Sequence, residues 1–298
     1  MKLLQRIGQD KLSALCLLTI SAVLIAGLMA PLLAPHDPEE VHMELRYAAS
    51  SSEYWLGNDH LGRCMLSRLI YGIRPSVLAV MAALFVSAGI GSIAGLLAGY
   101  FRGMTDAVLM RLCDVTLSFP GYVMTLAIIG ILGIGLENIL IAFVLIKWAW
   151  FARIIRSTVM QLADAEYVQF AKAIGVRNRT IIVKHIIPVS LPDIAVAASS
   201  SFGSMILQIS GFSFLGIGVQ APSPEWGMML NEARAVMFSK PELMLAPGIA
   251  IVLVVSAVNY LSDSLQIALD PKLTASRRTR YEEQRKAAAA RLQRKEVV

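Results

Sequence analysis

The sequence predicts an all-α membrane protein with six transmembrane helices. Of its 298 residues, 56% are hydrophobic and only 16% charged, where a soluble domain is roughly 45–50% apolar and about 25% charged. Apolar runs long enough to cross a bilayer, which takes about 20 helical residues, recur along nearly the whole chain. Lysine and arginine gather in alternate segments between those runs, as in proteins whose cytoplasmic loops are basic.

Residues 1–11, with Lys2, Arg6 and Lys11, read as a cytoplasmic amino terminus. Residues 12–273 form the membrane domain, and the first span is 12–34. Lys2 and Arg6 before an apolar run that ends in small residues also fit a signal peptide. The run is longer than a usual signal core and more spans follow, so an uncleaved helix is expected. The first outer loop, 35–74, carries four arginines against six acids.

The second span, 75–101, contains Gly91, Gly95 and Gly99, with Gly103 just beyond. Their four-residue spacing puts small residues on one helical face, where helices pack closely in lipid. The third span is 115–136 and the fourth 138–153. Lys147 lies within the fourth, and Trp148, Trp150 and Phe151 read as an interfacial belt closing at Arg153. Lysine inside a span is by default a functional candidate, but six residues from Arg153 it is expected to snorkel.

The segment 154–188 is unusually long for a helix-to-helix connection. Asp164 suits a helix cap, and Tyr167, Phe170, Ala171 and Ile174 recur at helical spacing to make one apolar face. Gly175 suits the left-handed position that ends such a helix, and a second helical stretch runs from Thr180 until Pro188 disturbs it. A helix of about ten residues, ~15 Å long, is sized for a groove on another protein.

The fifth span is 189–217. It runs into Gly211, Gly216, Gly218, Pro222 and Pro224, which predict a bent or re-entrant segment flanking a pathway, with Trp226 near the outer surface. The second outer loop is 218–242 and the sixth span 243–264. Residues 274–298 form a basic cytoplasmic tail, read as a solvated or headgroup-facing helix.

The net charge of +6 follows this topology and is not a nucleic-acid footprint. No phosphate-binding Gly-Lys loop occurs, which excludes ATP binding by that route. His36, His42, His60 and His185 are scattered, so no metal centre or other cofactor is expected. Asp114, Asp193 and Asp263 fall near span ends, where capping or partner contact is the commoner role, and supply no proton relay. Cys16, Cys64 and Cys113 suggest no intrachain disulfide.

The stretch Glu166-Tyr167-Val168-Gln169-Phe170-Ala171-Lys172-Ala173-Ile174-Gly175, with Pro188 thirteen residues on, resembles the cytoplasmic EAA loop of ABC importer permeases. Gln169 and Phe170 replace the first two positions of the family pattern, while Ala171, Gly175 and Pro188 match it. Two further blocks resemble the dipeptide, oligopeptide and nickel permeases of that family: Trp55 to Arg63 with Ser67-Arg68, and Ser213 to Pro222 followed by Glu225-Trp226-Gly227. The similarity runs from about residue 10 to Leu273. Cys64 stands where the family usually has an acid.

This resemblance implies a type I ABC importer permease fold whose coupling helix engages an ATPase through Glu166, Tyr167, Phe170, Ala171, Ile174, Gly175 and Pro188. It implies a non-catalytic subunit in a bacterial inner membrane, both termini cytoplasmic. Its partners would be a second homologous permease, two cytoplasmic ATPase subunits, an external solute-binding protein and membrane lipid. The segments Asp59 to Arg63 and Lys147 to Arg153 look closer to the nickel branch. Nickel or a metal chelate is the expected cargo and short peptides the alternative. An ion-coupled carrier or a membrane scaffold are the readings of other classes; the lack of intramembrane carboxylates counts against the first and the groove-sized helix against the second.

Overall fold

The computed structural model describes residues 10–269; Lys2, Arg6, the stretch Asp270 to Leu273 and the tail 274–298 lie outside the described residues. Among the described residues the chain is helical apart from loops and one isolated bridge between Asn58 and Cys64. Among these residues five helices are long and apolar enough to cross a membrane, and a pair bent by 82° counts as a sixth where it is taken as one span.

Helix α1 (Lys11–Leu28) starts on Asp10, whose carboxylate accepts the Leu12 and Ser13 amides. That carboxylate also accepts the Tyr260 hydroxyl at 2.8 Å, so the start of α1 is fastened to the last helix. Helix α2 (Met65–Ile73) passes through a π turn (Arg74–Leu78) into α3 (Ala79–Phe101) as one apolar unit. This helical unit therefore begins at Met65, ahead of the span expected from 75. Proline 75 has no amide to donate, and the turn absorbs the fault by linking the Ala79 amide to the Arg74 carbonyl.

Helices α4 (Gly103–Leu117) and α5 (Gly121–Leu132) are the bent pair, replacing the single span expected at 115–136. Pro120, at the head of α5, ends the straight run. Helix α6 (Leu136–Ala163) passes straight through Arg153, where the fourth span was expected to close. Both arginines in its second half are neutralised from α4: Arg153 pairs with Asp114, and Arg156 grips Asp106 at 2.5 and 2.6 Å. Lys147 consequently sits near the middle of a 28-residue helix, not close to its end.

Gly91, Gly95 and Gly99 face α6. A methyl group on Gly95 would lie 2.5 Å from the Ala152 carbonyl oxygen and one on Gly99 2.8 Å from that of Arg156, so the two backbones are in direct apposition. Helix α7 (Glu166–Ala173) follows, then a short turn (Asn178–Ile181), a second π turn (Ile182–Ile186) and α8 (Ile187–Phe214). Pro188 does not end the helix. The π turn before it links the Ile187 amide to the Ile182 carbonyl, and the helix continues to Phe214.

The stretch between α7 and α8 is thus mostly helical, and the connection expected at 154–188 shrinks to short breaks on either side of α7. Helix α9 (Trp226–Ala233) packs back on the bundle and α10 (Glu242–Leu269) closes it. Trp226 is 2% exposed, its indole donating to the Leu69 carbonyl at 3.0 Å. The tryptophan expected near the outer surface is thus enclosed by the bundle as a core residue.

Candidate functional site

At one end of the bundle, α7 lies across the ends of α3, α6 and α8. Val168 and Ala171 face inward, joining Tyr100, Ile155, Val159, Ala163, Ile181 and Ile186 in a small buried cluster. Burying Val168 completely stabilises this seat by about 1.5–3 kcal/mol. Polar contacts reinforce it. The Gln169 amide donates to the Ala163 carbonyl at 2.8 Å, the Tyr100 hydroxyl to Asn178 at 2.8 Å, and the Lys172 ammonium stands 5.0 Å over the Tyr100 ring.

The opposite face of α7 is largely open, with only the Tyr167 ring leaning toward His185 at 6.3 Å between centroids. Tyr167, Phe170 and Ile174 are 46%, 66% and 63% exposed, forming an apolar row on a helix whose other side is buried. Glu166 is exposed in the first turn, where the helix dipole favours a carboxylate. Gly175 has φ +79°, and its amide and that of Val176 bond back to Lys172 and Ala171 at 3.0 Å each. That pair is the Schellman closure.

Of the residues singled out in the sequence, Tyr167, Phe170 and Ile174 come together on the outward face. Ala171 turns inward, Gly175 closes the helix and Pro188 stands apart at the start of α8. Asp164 does not cap α7; Ala165 holds that position, and Asp164 accepts Arg102 at 2.6 Å. The roles of Val168, Asn178 and Arg102 escaped the sequence reading, although Val168 lies three residues before Ala171 on the buried side.

The other end of the bundle carries the long loops and a buried charge cluster. Arg63 bonds Asp59 at 2.7 Å and Glu232 at 2.9 Å, while Arg68 bonds Glu232 at 2.8 Å. Both guanidinium groups are almost wholly buried, so two positive and two negative charges cancel out of water. Asp59, His60 and Glu232 lie close enough to suggest a cation site. Both carboxylates already hold arginine, however, and a divalent ion would enter beside two guanidiniums; the group fits an ionic lock, not a metal centre.

Next to it, the fully buried Glu225 accepts the Ser76 hydroxyl at 2.9 Å, the Ser210 hydroxyl at 3.2 Å and the Met228 amide at 2.9 Å. It therefore joins α9 to the first π turn and to α8. Neither Glu232 nor the role of Glu225 was readable in advance, since their partners are far apart in the chain.

An apolar multi-pass bundle with a small amphipathic helix seated on one end is the architecture of a membrane-embedded subunit. The comparisons with known proteins agree. The family described as binding-protein-dependent transport system inner membrane component matches residues 91–275, and the chain belongs to that family, the permeases of ABC importers. It is 56% identical over 280 residues, 94% of this chain and 97% of the relative, to the metal-staphylopine import system permease protein CntC of Staphylococcus aureus (strain NCTC 8325 / PS 47).

It is 37% identical over 259 residues, 87% of this chain and 94% of the relative, to the nickel transport system permease protein NikC of Escherichia coli (strain K12). The dipeptide transport system permease protein DppC of Alkalihalophilus pseudofirmus is 38% identical over 269 residues, covering 90% of this chain and 88% of that one. Among solved structures, the MetNI methionine ABC transporter in inward-facing conformations shares the fold, with a TM-score of 0.58 at 15% identity over 69% of this chain and 98% of that one. The subunit is non-catalytic, and such importers work with a separate ATPase and a substrate-binding protein.

Proposed function

We propose that this chain supplies half of the translocation pathway of an importer for metal ions held in an organic chelate, paired with a second homologous permease and driven by two cytoplasmic ATPase subunits. The observation that carries the coupling part is the exposed row Tyr167, Phe170 and Ile174 on a helix whose other face is locked into the bundle. Such a row is a docking surface for an apolar groove. As the ATPases close on ATP, the groove moves α7, and the buried Val168 and Ala171 pass that movement to α3, α6 and α8. Pro188 contributes through the adjoining turn.

In this reading the α7 end faces the cytoplasm, with both termini on that side, and the long-loop end meets the external binding protein. Arg177, Arg179 and Lys184 on the α7 side support the orientation. The cargo reading is supported by the similarity to the metal-staphylopine permease; the peptide alternative is supported by the weaker similarity to the dipeptide permease.

Uptake of labelled free nickel, nickel–staphylopine and a labelled dipeptide, in cells with and without this chain and with its partners present throughout, tests the cargo. Loss of the chelate signal alone is the expected result. Loss of dipeptide uptake alone overturns the metal reading, and loss of free nickel uptake alone replaces the chelate by the bare ion.

A further inference from the structure

Lys147 is the one cation of α6 without a carboxylate partner among the described residues, Arg153 and Arg156 being paired with α4. It is half-buried, in the middle of a helix that spans Leu136–Ala163. Its nearer helix end is about 16 Å away at 1.5 Å per residue, further than a lysine side chain extends. An ammonium group held at that depth needs water, an anion or another protein group beside it.

Helix geometry indicates what stands level with it. The Thr158 hydroxyl donates to the Asp193 carboxylate at 2.9 Å, pinning α6 to α8 near the α7 end. The two helices run in opposite directions from that contact, because the chain enters α7 from α6 and leaves it toward α8. Eleven residues back along α6 from Thr158 is Lys147; eleven forward along α8 from Asp193 is Ser204. Eleven residues are three turns to within about 20°, so each returns to the same face of its helix, about 16 Å from the pinned contact.

Ser200 and Gln208 flank Ser204 one turn to either side. Ser200 is exposed, and Ser204 and Gln208 are partly so. Lys147 is therefore level with a row of hydroxyl and amide groups on α8, both lying well inside their helices.

We propose that Lys147 contacts the solute during passage, as a fixed positive charge that receives a carboxylate, with Ser200, Ser204 and Gln208 as neutral hydrogen-bonding wall. The solute class it fits is an anionic, carboxylate-bearing molecule such as a metal wrapped in an amino-carboxylate chelate. A bare divalent cation would be repelled at this point. The inference rests on the importer reading and sharpens it, because it makes the ligand, not the metal, the part of the cargo that the pathway feels.

The test uses the complete transporter in proteoliposomes with nickel–staphylopine as solute. Lys147→Met is expected to lower initial uptake about tenfold or more, the effect of losing a charge-assisted hydrogen bond, with assembly and basal ATP hydrolysis intact; Lys147→Arg should restore most of it. Lys147→Cys, in a chain with Cys16, Cys64 and Cys113 replaced, should react with a water-soluble thiol reagent, and nickel–staphylopine should slow the reaction. Wild-type uptake by Lys147→Met overturns the proposal, as does a Lys147→Cys thiol that reacts only with a lipid-soluble reagent. No chelate uptake by the unmodified transporter would instead overturn the cargo reading, and a water-accessible thiol at 147 would separate that failure from this one.

Discussion

Exchanging Glu232 for glutamine is expected to cost about 3–5 kcal/mol of stability, the effect of removing one partner from a buried ion pair. Among the described residues Glu232 and Asp59 are the carboxylates that pair with both Arg63 and Arg68, and both arginines are buried. The glutamine variant leaves two buried positive charges against one negative. Its unfolding midpoint in detergent should fall sharply, with reduced protein in the membrane. Adding Arg68→Met restores the balance around the Arg63–Asp59 pair and should recover much of the loss. A Glu232→Gln chain as stable as the wild type would mean that water or another acid reaches the cluster.

Gly95→Leu should have a comparable effect by a different route. Even the first carbon of the new side chain would sit 2.5 Å from the Ala152 carbonyl oxygen and 2.9 Å from the Arg156 amide nitrogen, both rigid backbone atoms. α3 and α6 would have to separate along their whole contact, breaking the Gly91 and Gly99 appositions with it. The cost is expected at or above the upper end of the about 1–3 kcal/mol typical of overpacking. Gly89→Leu is the control, because nothing lies within 4 Å of the corresponding position on Gly89. Thermal unfolding of the two variants side by side should show a large drop for the first and little change for the second.

The parts of the fold legible in the sequence were those governed by neighbours along the chain. Apolar runs marked the spans, a four-residue glycine spacing marked the α3–α6 contact, and Gly175 marked the end of α7. The parts that were not legible depend on partners far away. Arg153 and Arg156 looked like the end of a span because Asp114 and Asp106, on another helix, were not yet beside them. Arg63 and Arg68 counted only as outer-loop charges until Glu232 met them across the long-loop end.

The same limit shaped the reading of Lys147, whose apparent nearness to a helix end disappeared once α6 ran on to Ala163. At the candidate site the apolar period gave Tyr167, Phe170 and Ile174, but it put Ala171 on their face. The tertiary seat, not the period, decides that Ala171 turns inward with Val168.

The coupling role of α7 is tested most directly by truncating its exposed row without disturbing its seat. Phe170→Ala with Ile174→Ala removes two of the three outward apolar side chains and leaves Val168, Ala171 and the Gly175 closure untouched. In the assembled transporter, uptake and the stimulation of ATP hydrolysis by loaded binding protein should both be lost, while the chain inserts and pairs with its partner permease at normal levels. Unchanged uptake and unchanged stimulation in that variant would contradict the assignment of α7 as the surface through which the ATPases act.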